Sequence, residues 1–275
     1  MFSLLKRSAL SREERAFWDE NGYLLLKGYV SPQEVAEVLA IVDDQWANRE
    51  GNDHHVDVNS GPYAGKWYTM QDVPPEARQA SYKLNNLFGR VEAIRRIALN
   101  KKLKAAVQEL LEGEPIICNS LNFERGSQQA MHIDSWYMPP PVDNRMVAAS
   151  IALERVDADN GPIVYYPGSH KIPGYRFSDG RLNMNEAEGA ACRTYLAEEI
   201  EKRGLKEVEV RAEPGDVFLW HGQLLHGGRP INDFSRTRDS LVIHYWRRMD
   251  VAPAMIREDR HGAYLARTLR GEIEY

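Results

Sequence analysis

The chain has 275 residues, 43% hydrophobic and 27% charged, with a formal net charge of -5. That length suits one large domain or two small ones, and the balance excludes a disordered or fibrous chain. The mildly acidic charge gives no global field toward nucleic acid or anionic membrane, and no stretch approaches the roughly 18 apolar residues of a membrane span. Two cysteines, Cys118 and Cys192, imply no disulfide framework, so a reduced, cytoplasmic setting is expected.

In chain order, Ser11 and Glu14 fit a capping box opening a helix over Arg12 to Glu20, which Asn21-Gly22 ends. Tyr23-Leu24-Leu25-Leu26 reads as a short buried strand. Ser31-Pro32 starts a second helix with Val35, Val38, Leu39 and Val42 at helical spacing. The polar stretch Asn48–Pro75 is long for a loop and is expected to be a lid or binding loop. Helices are expected over about Glu76 to Leu87 and Val91 to Leu111.

Past Glu112 the pattern changes to short β-rich runs separated by turns. Strands are expected at Pro115–Phe123, Gln129–Asp134, Met146–Leu153, Pro162–Tyr166, Val208–Ala212, Asp216–Leu219, Gln223–Leu225 and Ser240–Trp246. Such a series fits a barrel or sandwich. A helix over Glu186 to Arg203 interrupts it, and Ala252 to Tyr275 reads as helical.

His132 and Asp134 lie two apart on an expected strand, so both side chains face one way. His226 follows much later, before Gly227-Gly228. Two imidazoles and a carboxylate on one face are the ligand set of a non-haem Fe(II) site with open positions. His221, His244, His54 and His55 compete for the second imidazole, with His54 and His55 expected to be solvated. Downstream, Arg236-Thr237-Arg238-Asp239-Ser240 offers a guanidinium that can pair bidentately with a carboxylate. Arg238 and Ser240 share a strand face.

Several blocks resemble the phytanoyl-CoA dioxygenase family across most of the chain. They are Phe17-Trp18-Asp19-Glu20-Asn21-Gly22-Tyr23-Leu24-Leu25-Leu26-Lys27-Gly28, Met131-His132-Ile133-Asp134-Ser135-Trp136-Tyr137, and Ile151-Ala152-Leu153-Glu154 with Asn160-Gly161-Pro162. Tyr166-Pro167-Gly168-Ser169-His170-Lys171, Glu213-Pro214-Gly215-Asp216 and His226-Gly227-Gly228 complete the set. The resemblance implies a mainly β protein with flanking helices: a double-stranded β-helix, a cupin-like jelly roll, preceded by N-terminal helices. The whole chain, 1–275, is expected to be one domain, with a helical part to about 111, a β-helix core over about 112–250 and a tail from 251.

The resemblance further implies Fe(II), 2-oxoglutarate and O2 as cofactors. His132, Asp134 and His226 match the iron ligands and Arg238 the 2-oxoglutarate arginine, with Arg236 a competitor. Asn122, Gln129 and Lys83 are implied cosubstrate contacts. Family members often have Trp where Ser150 stands and Ser where Gly228 stands, and Ser240 is expected to supply the hydroxyl lost at Gly228. The implied chemistry decarboxylates 2-oxoglutarate to succinate and CO2 while hydroxylating a C–H bond. Related halogenases carry a small residue at the position of Asp134, so Asp134 favours hydroxylation. Trp136, Tyr137, Met138, Trp67, Tyr68 and Tyr63 are expected around the substrate, with the Asn48–Pro75 loop and the Lys171–Arg203 insert. The substrate is expected to be a small polar or biosynthetic metabolite, with no nucleic-acid partner; oligomeric state is open. Epoxidation or desaturation at the same iron, and a non-enzymatic cupin-like metal or ligand binder, are the alternatives.

Overall fold

The structure is a computed structural model and describes residues 8–266. Helix α1 (Arg12–Asn21) opens on the expected capping box: the Ser11 hydroxyl accepts from the Glu14 amide, and the Glu14 carboxylate accepts from the Ser11 amide at 2.7 Å. Gly22 ends it at φ +76°, a left-handed conformation that glycine adopts without strain. Strand β1 (Tyr23–Leu26) and helix α2 (Pro32–Ala47) follow, and α2 buries Val35, Val38, Val42 and Trp46.

The stretch expected to be a loop contains two strands, β2 (His55–Val58) and β3 (Trp67–Thr69). The helix expected over Glu76 to Leu87 is replaced by a 3-10 turn at Pro75–Gln79 and strand β4 (Tyr82–Asn85). The cause is a period of two: Tyr82 and Leu84 are fully buried, while Lys83 and Asn85 turn to the opposite face. The next helical stretch is divided into α3 (Glu92–Ala98) and α4 (Lys101–Leu111), because Asn100 caps α4 by accepting from the Lys102 and Leu103 amides.

The core strands are β5 (Pro115–Phe123), β6 (Met146–Ala152), β7 (Ile163–Tyr165), β8 (Val208–Glu209), β9 (Val217–His221), β10 (His226–Gly228) and β11 (Ser240–Arg247), with helix α5 (Gly189–Arg203) before β8. Gln223–Leu225, expected as a strand, lies in the connection before β10. The expected C-terminal helix is a hairpin of β12 (Ile256–Asp259) and β13 (Gly262–Leu265), and β13 adds to β5 in parallel. The rest of that expected helix, from residue 267 on, lies outside the described residues.

Among the described residues the strands form two sheets. The large one runs β1-β9-β6-β11-β5-β4-β2-β3, with β13 joined to β5, and its pairs along this path are antiparallel. The small one is β10-β7-β8, also antiparallel. One face of the large sheet, with Leu84, Ile151, Leu219, Leu241 and Ile243, packs on the apolar sides of α2, α3 and α4. The other, with Phe123, Phe218, Trp220 and Val242, meets Tyr165 of the small sheet. The chain is thus mainly β with flanking helices, and the space between the sheets holds the site. Among the described residues no helix is long and apolar enough to cross a membrane.

Candidate metal centre

His132 and His226 are joined by an isolated antiparallel bridge. The His132 amide donates to the His226 carbonyl at 2.8 Å, and the reverse bond is 2.9 Å. This bridge sits on the open side of β10. The strand expected over Gln129–Asp134 is reduced to this single pairing, after which a 3-10 turn spans Asp134–Trp136. Asp134 therefore reaches the imidazoles from a turn rather than by strand alternation. Its Oδ1 lies 3.8 Å from His132 Nε2 and 3.6 Å from His226 Nε2. All three side chains are buried, and their ligand atoms lie within 4.8 Å of one another.

The hydrogen bonds aim these atoms. His132 Nδ1 faces the Ala130 carbonyl at 2.8 Å and His226 Nδ1 the Leu224 carbonyl at 2.9 Å. Each Nδ1 thus carries the hydrogen, and each Nε2 keeps its lone pair for the cluster. Burial pushes His132 down to about 3, with the nearby His226 adding to the effect. Burial alone would raise the Asp134 carboxyl, but His226, His244 and His132 outweigh it and hold the group well below the usual range. Neutral imidazoles and an ionised carboxylate are the protonation states that bind a metal.

Two further groups stand behind Asp134: Trp220, which was not expected at the site, and His244, which competed for the second imidazole but falls outside the ligand cluster. Trp220 Nε1 donates to its Oδ2 at 2.7 Å, and His244 Nε2 lies 3.5 Å from the same oxygen. Their legible signal is strand parity: His244 falls on the same face of β11 as Val242, and both line the cavity. His221 ends β9 and accepts from the Gln223 amide, away from the cluster. His54, expected to be solvated, is buried, and His55 lies on β2 with its ring 4.4 Å from that of Trp67.

A cavity of about 390 Å³ opens over the cluster. Arg238 lines it with only 4% exposure, and its Nε has no hydrogen-bond partner. Among the described residues no carboxylate forms an ion pair with it, and burial pushes it down to about 10, partly opposed by Asp239. Arg236 is instead engaged by Asp157 through two bonds of 3.0 and 2.9 Å at the surface. Ser240 opens β11, buried with its Oγ unpartnered, and does not line the cavity, while Arg238 stands just before that strand.

Gly228 leaves no room for the side chain that the resemblance led one to expect. A Cβ there would stand 2.6 Å from Ser127 Oγ and 2.7 Å from the Gln128 amide nitrogen. Ser150 is buried on β6, paired with Phe218 and Val242.

Lys83 and Gln129 line the cavity, Lys83 with its Nζ 3.1 Å from Asp57 Oδ2. Asn122 does not. The cavity takes Asn119, Leu121 and Phe123 from β5, so Asn122 alternates to the other face, paired with Leu84 and Leu241 of the helix-side core. Tyr137, 55% exposed, and Met138 line the mouth, and the Tyr137 ring is 5.8 Å from that of His132.

Trp136 is buried against Ile133, Phe177 and Cys192, away from the cavity. Trp67 is 70% exposed on the edge strand β3, and Tyr68 and Tyr63 pack on the helix-side core. None of these three lines the cavity, nor does any residue of Asn48–Pro75 or of the Lys171–Arg203 insert. The insert instead packs Cys192 and Leu196 beneath the turn that carries Asp134.

The chain is similar to known proteins in sequence and in fold. The family model described as phytanoyl-CoA dioxygenase (PhyH) matches residues 18–237. Peroxisomal phytanoyl-CoA dioxygenase of Mus musculus is 26% identical over 255 residues, covering 88% of this chain and 70% of that protein. Ectoine dioxygenase of Sphingopyxis alaskensis is 24% identical over 247 residues, covering 85% and 75%. Among solved structures, the non-heme alpha ketoglutarate dependent carbocyclase SnoK from nogalamycin biosynthesis superposes with a TM-score of 0.66 at 18% identity, covering 87% of this chain and 86% of that one. EctD from S. alaskensis in its apoform gives 0.65 at 19%, covering 92% and 82%. The match over residues 18–237 takes in all three candidate ligands, and the chain belongs to the phytanoyl-CoA dioxygenase family.

Proposed function

We propose that the protein is an Fe(II)- and 2-oxoglutarate-dependent dioxygenase that hydroxylates a C–H bond of a small polar metabolite. The observation that carries this reading is a buried, unpaired guanidinium, Arg238, in the same cavity as a His-Asp-His cluster. A buried cation without a counter-charge is costly and calls for an anionic ligand. The donor set fits iron: two Nε2 lone pairs and one carboxylate oxygen converge, with their other polar atoms already satisfied. The two facing sheets fit a double-stranded β-helix in one domain.

Iron held there supplies activation of O2 coupled to decarboxylation of 2-oxoglutarate, giving succinate, CO2 and one oxygen atom for the substrate. The protein supplies the rest. His132, Asp134 and His226 would hold the metal, a ligand set of two imidazoles and one carboxylate that suits non-haem iron. Arg238 would pair with the distal carboxylate of 2-oxoglutarate, and the unpartnered hydroxyl of Ser240, two residues on, is a second candidate for it although it does not line the cavity. Leu121, Phe123, Ile163 and Val242 form an apolar wall that excludes water. Asn85, Asn119, Gln129 and Tyr137 offer polar contacts on a scale that suits a small polar substrate.

A metabolite panel screened for succinate formation tests this. The reading expects succinate above the uncoupled background, dependent on added Fe(II), with one atom of 18O2 entering the product. Alkene or epoxide product would keep the iron chemistry and overturn the hydroxylation. Succinate that never depends on Fe(II) would overturn the reading.

A further inference from the structure

We infer that Trp220 is a positioning residue: its indole N–H holds one oxygen of Asp134, so that the carboxylate offers the other to the metal. This rests on the metal reading above. Asp134 opens a 3-10 turn, and the terminal bond of an aspartate side chain rotates broadly, so the turn alone does not choose which oxygen faces the imidazoles. Trp220 makes that choice. Its Nε1 donates to Oδ2 at 2.7 Å, and Oδ1 is the oxygen that stands near both His132 and His226. An indole N–H donates and never accepts, so the direction of this bond involves neither a tautomer nor a titration. His244 Nε2 lies 3.5 Å from Oδ2, beyond the usual hydrogen-bond range of about 2.7–3.2 Å, so Trp220 carries the contact.

The indole is well anchored. Trp220 is buried on β9, a strand with a neighbour on each side, where it lies opposite Tyr23 of β1 and Ala148 of β6. Its ring stacks on that of Phe218 at 5.5 Å with 25° between the planes. Phe218 and Trp220 share the face of the large sheet that looks at the small one, so strand parity aims both at the site. The Trp220 ring also lies 5.2 Å from the His226 ring. One side chain thus bonds one candidate ligand and packs beside another. A donor on a rigid strand gives a carboxylate on a short turn the fixed orientation that the turn lacks. Without the N–H, Oδ2 would lose its 2.7 Å donor in a buried setting, and the carboxylate would be free to turn.

The test titrates the full-length protein with Fe(II) alone under anaerobic conditions. Two replacements are compared with wild type. Trp220→Phe keeps an aromatic ring and removes the donor. Introducing 3-benzothienylalanine at position 220 keeps the whole bicyclic shape and puts sulfur where the ring N–H stood. Both are expected to weaken Fe(II) binding, the isostere by about 10- to 100-fold, the usual cost of losing a group behind a ligand. A packing role alone would spare the isostere. Fe(II) affinity of the isostere equal to or above wild type would overturn the inference, whatever Trp220→Phe does, while leaving the iron site standing. The isostere also decides the matter if Trp220→Phe does not fold. A wild-type chain that takes up no Fe(II) would overturn both.

Discussion

The backbones of His132 and His226 pair with each other through two reciprocal hydrogen bonds, and their rings lie 4.3 Å apart between centroids. Residues 94 positions apart are thereby locked at the one place where both imidazoles can serve a single ion. The pairing belongs to the main chain, so it survives loss of either side chain. His226→Ala should accordingly leave the fold intact and remove a ligand. Fe(II) affinity should fall by more than about 100-fold, since even a group behind a ligand is worth about 10- to 100-fold. Anaerobic titration checks affinity, and the thermal midpoint of the metal-free protein checks the fold.

Arg238 and Arg236 should separate cleanly. Arg238 is buried, unpaired and in the cavity, while Arg236 is bound to Asp157 at the surface. A charge-assisted bond is worth about 1.5–3 kcal/mol, and 1.4 kcal/mol is about tenfold in affinity. Arg238→Ala should therefore weaken 2-oxoglutarate binding by about 10- to 100-fold, and Arg236→Ala should leave it unchanged. Isothermal titration of the Fe(II)-loaded variants, without O2, measures both.

Gly228→Ser should not supply a useful hydroxyl. The new Cβ would enter the space of Ser127 Oγ and the Gln128 amide, so the connecting loop must shift. Overpacking of this kind costs about 1–3 kcal/mol. In a chain of this size that lowers Tm by roughly 2–4 °C per kcal/mol. A scanning-calorimetry midpoint at or above wild type would contradict the close approach.

The His132, Asp134 and His226 cluster was legible from motif and spacing, although the strand expected to carry the first two is a bridge followed by a turn. The bounds of β5 match the expected Pro115–Phe123, a β-rich run bounded by turn residues. Of Arg238 and Ser240, expected on one strand face, Arg238 precedes β11 and lines the cavity, whereas Ser240 opens the strand without lining it. The failures have equally local causes. Asn122 was expected at the cosubstrate, yet a shift of one position sends a side chain to the other face of a sheet, and Asn119 faces the cavity instead. Tyr82–Asn85 was hidden behind the helix-forming stretch Glu76–Arg78, and four residues are too few for periodicity to decide. The C-terminal hairpin gains its pairing from β5, with Ala263 opposite Ile116, 147 residues earlier, which no local pattern reveals. Trp67 and Tyr68 looked like pocket aromatics because a long polar segment conceals that β3 is an outer strand.

Asp239 gives the protein a pH-dependent stability. Burial, and the charges of Glu154 and Glu124, push its carboxyl up to about 8 from the ordinary 3.8. The folded chain then holds a proton that the unfolded chain releases between about pH 4 and 8. The stabilisation is fully present below the unfolded value and is lost as pH rises through the folded one. Asp239→Asn should flatten this dependence and exceed wild type at pH 8, by on the order of a few kcal/mol. Urea unfolding at pH 5, 6.5 and 8 measures it, and parallel pH profiles for the two proteins would contradict it.

The account rests on one cavity binding Fe(II) and 2-oxoglutarate together, with the metal on His132, Asp134 and His226 and the acid on Arg238. The most direct measurement is the visible absorption of the protein with Fe(II) and 2-oxoglutarate under strict exclusion of O2. The account predicts a charge-transfer band that requires both additions, disappears in Asp134→Ala, and needs much more 2-oxoglutarate to saturate in Arg238→Ala. No band in the wild-type protein, or one that persists unchanged in Asp134→Ala, would contradict it.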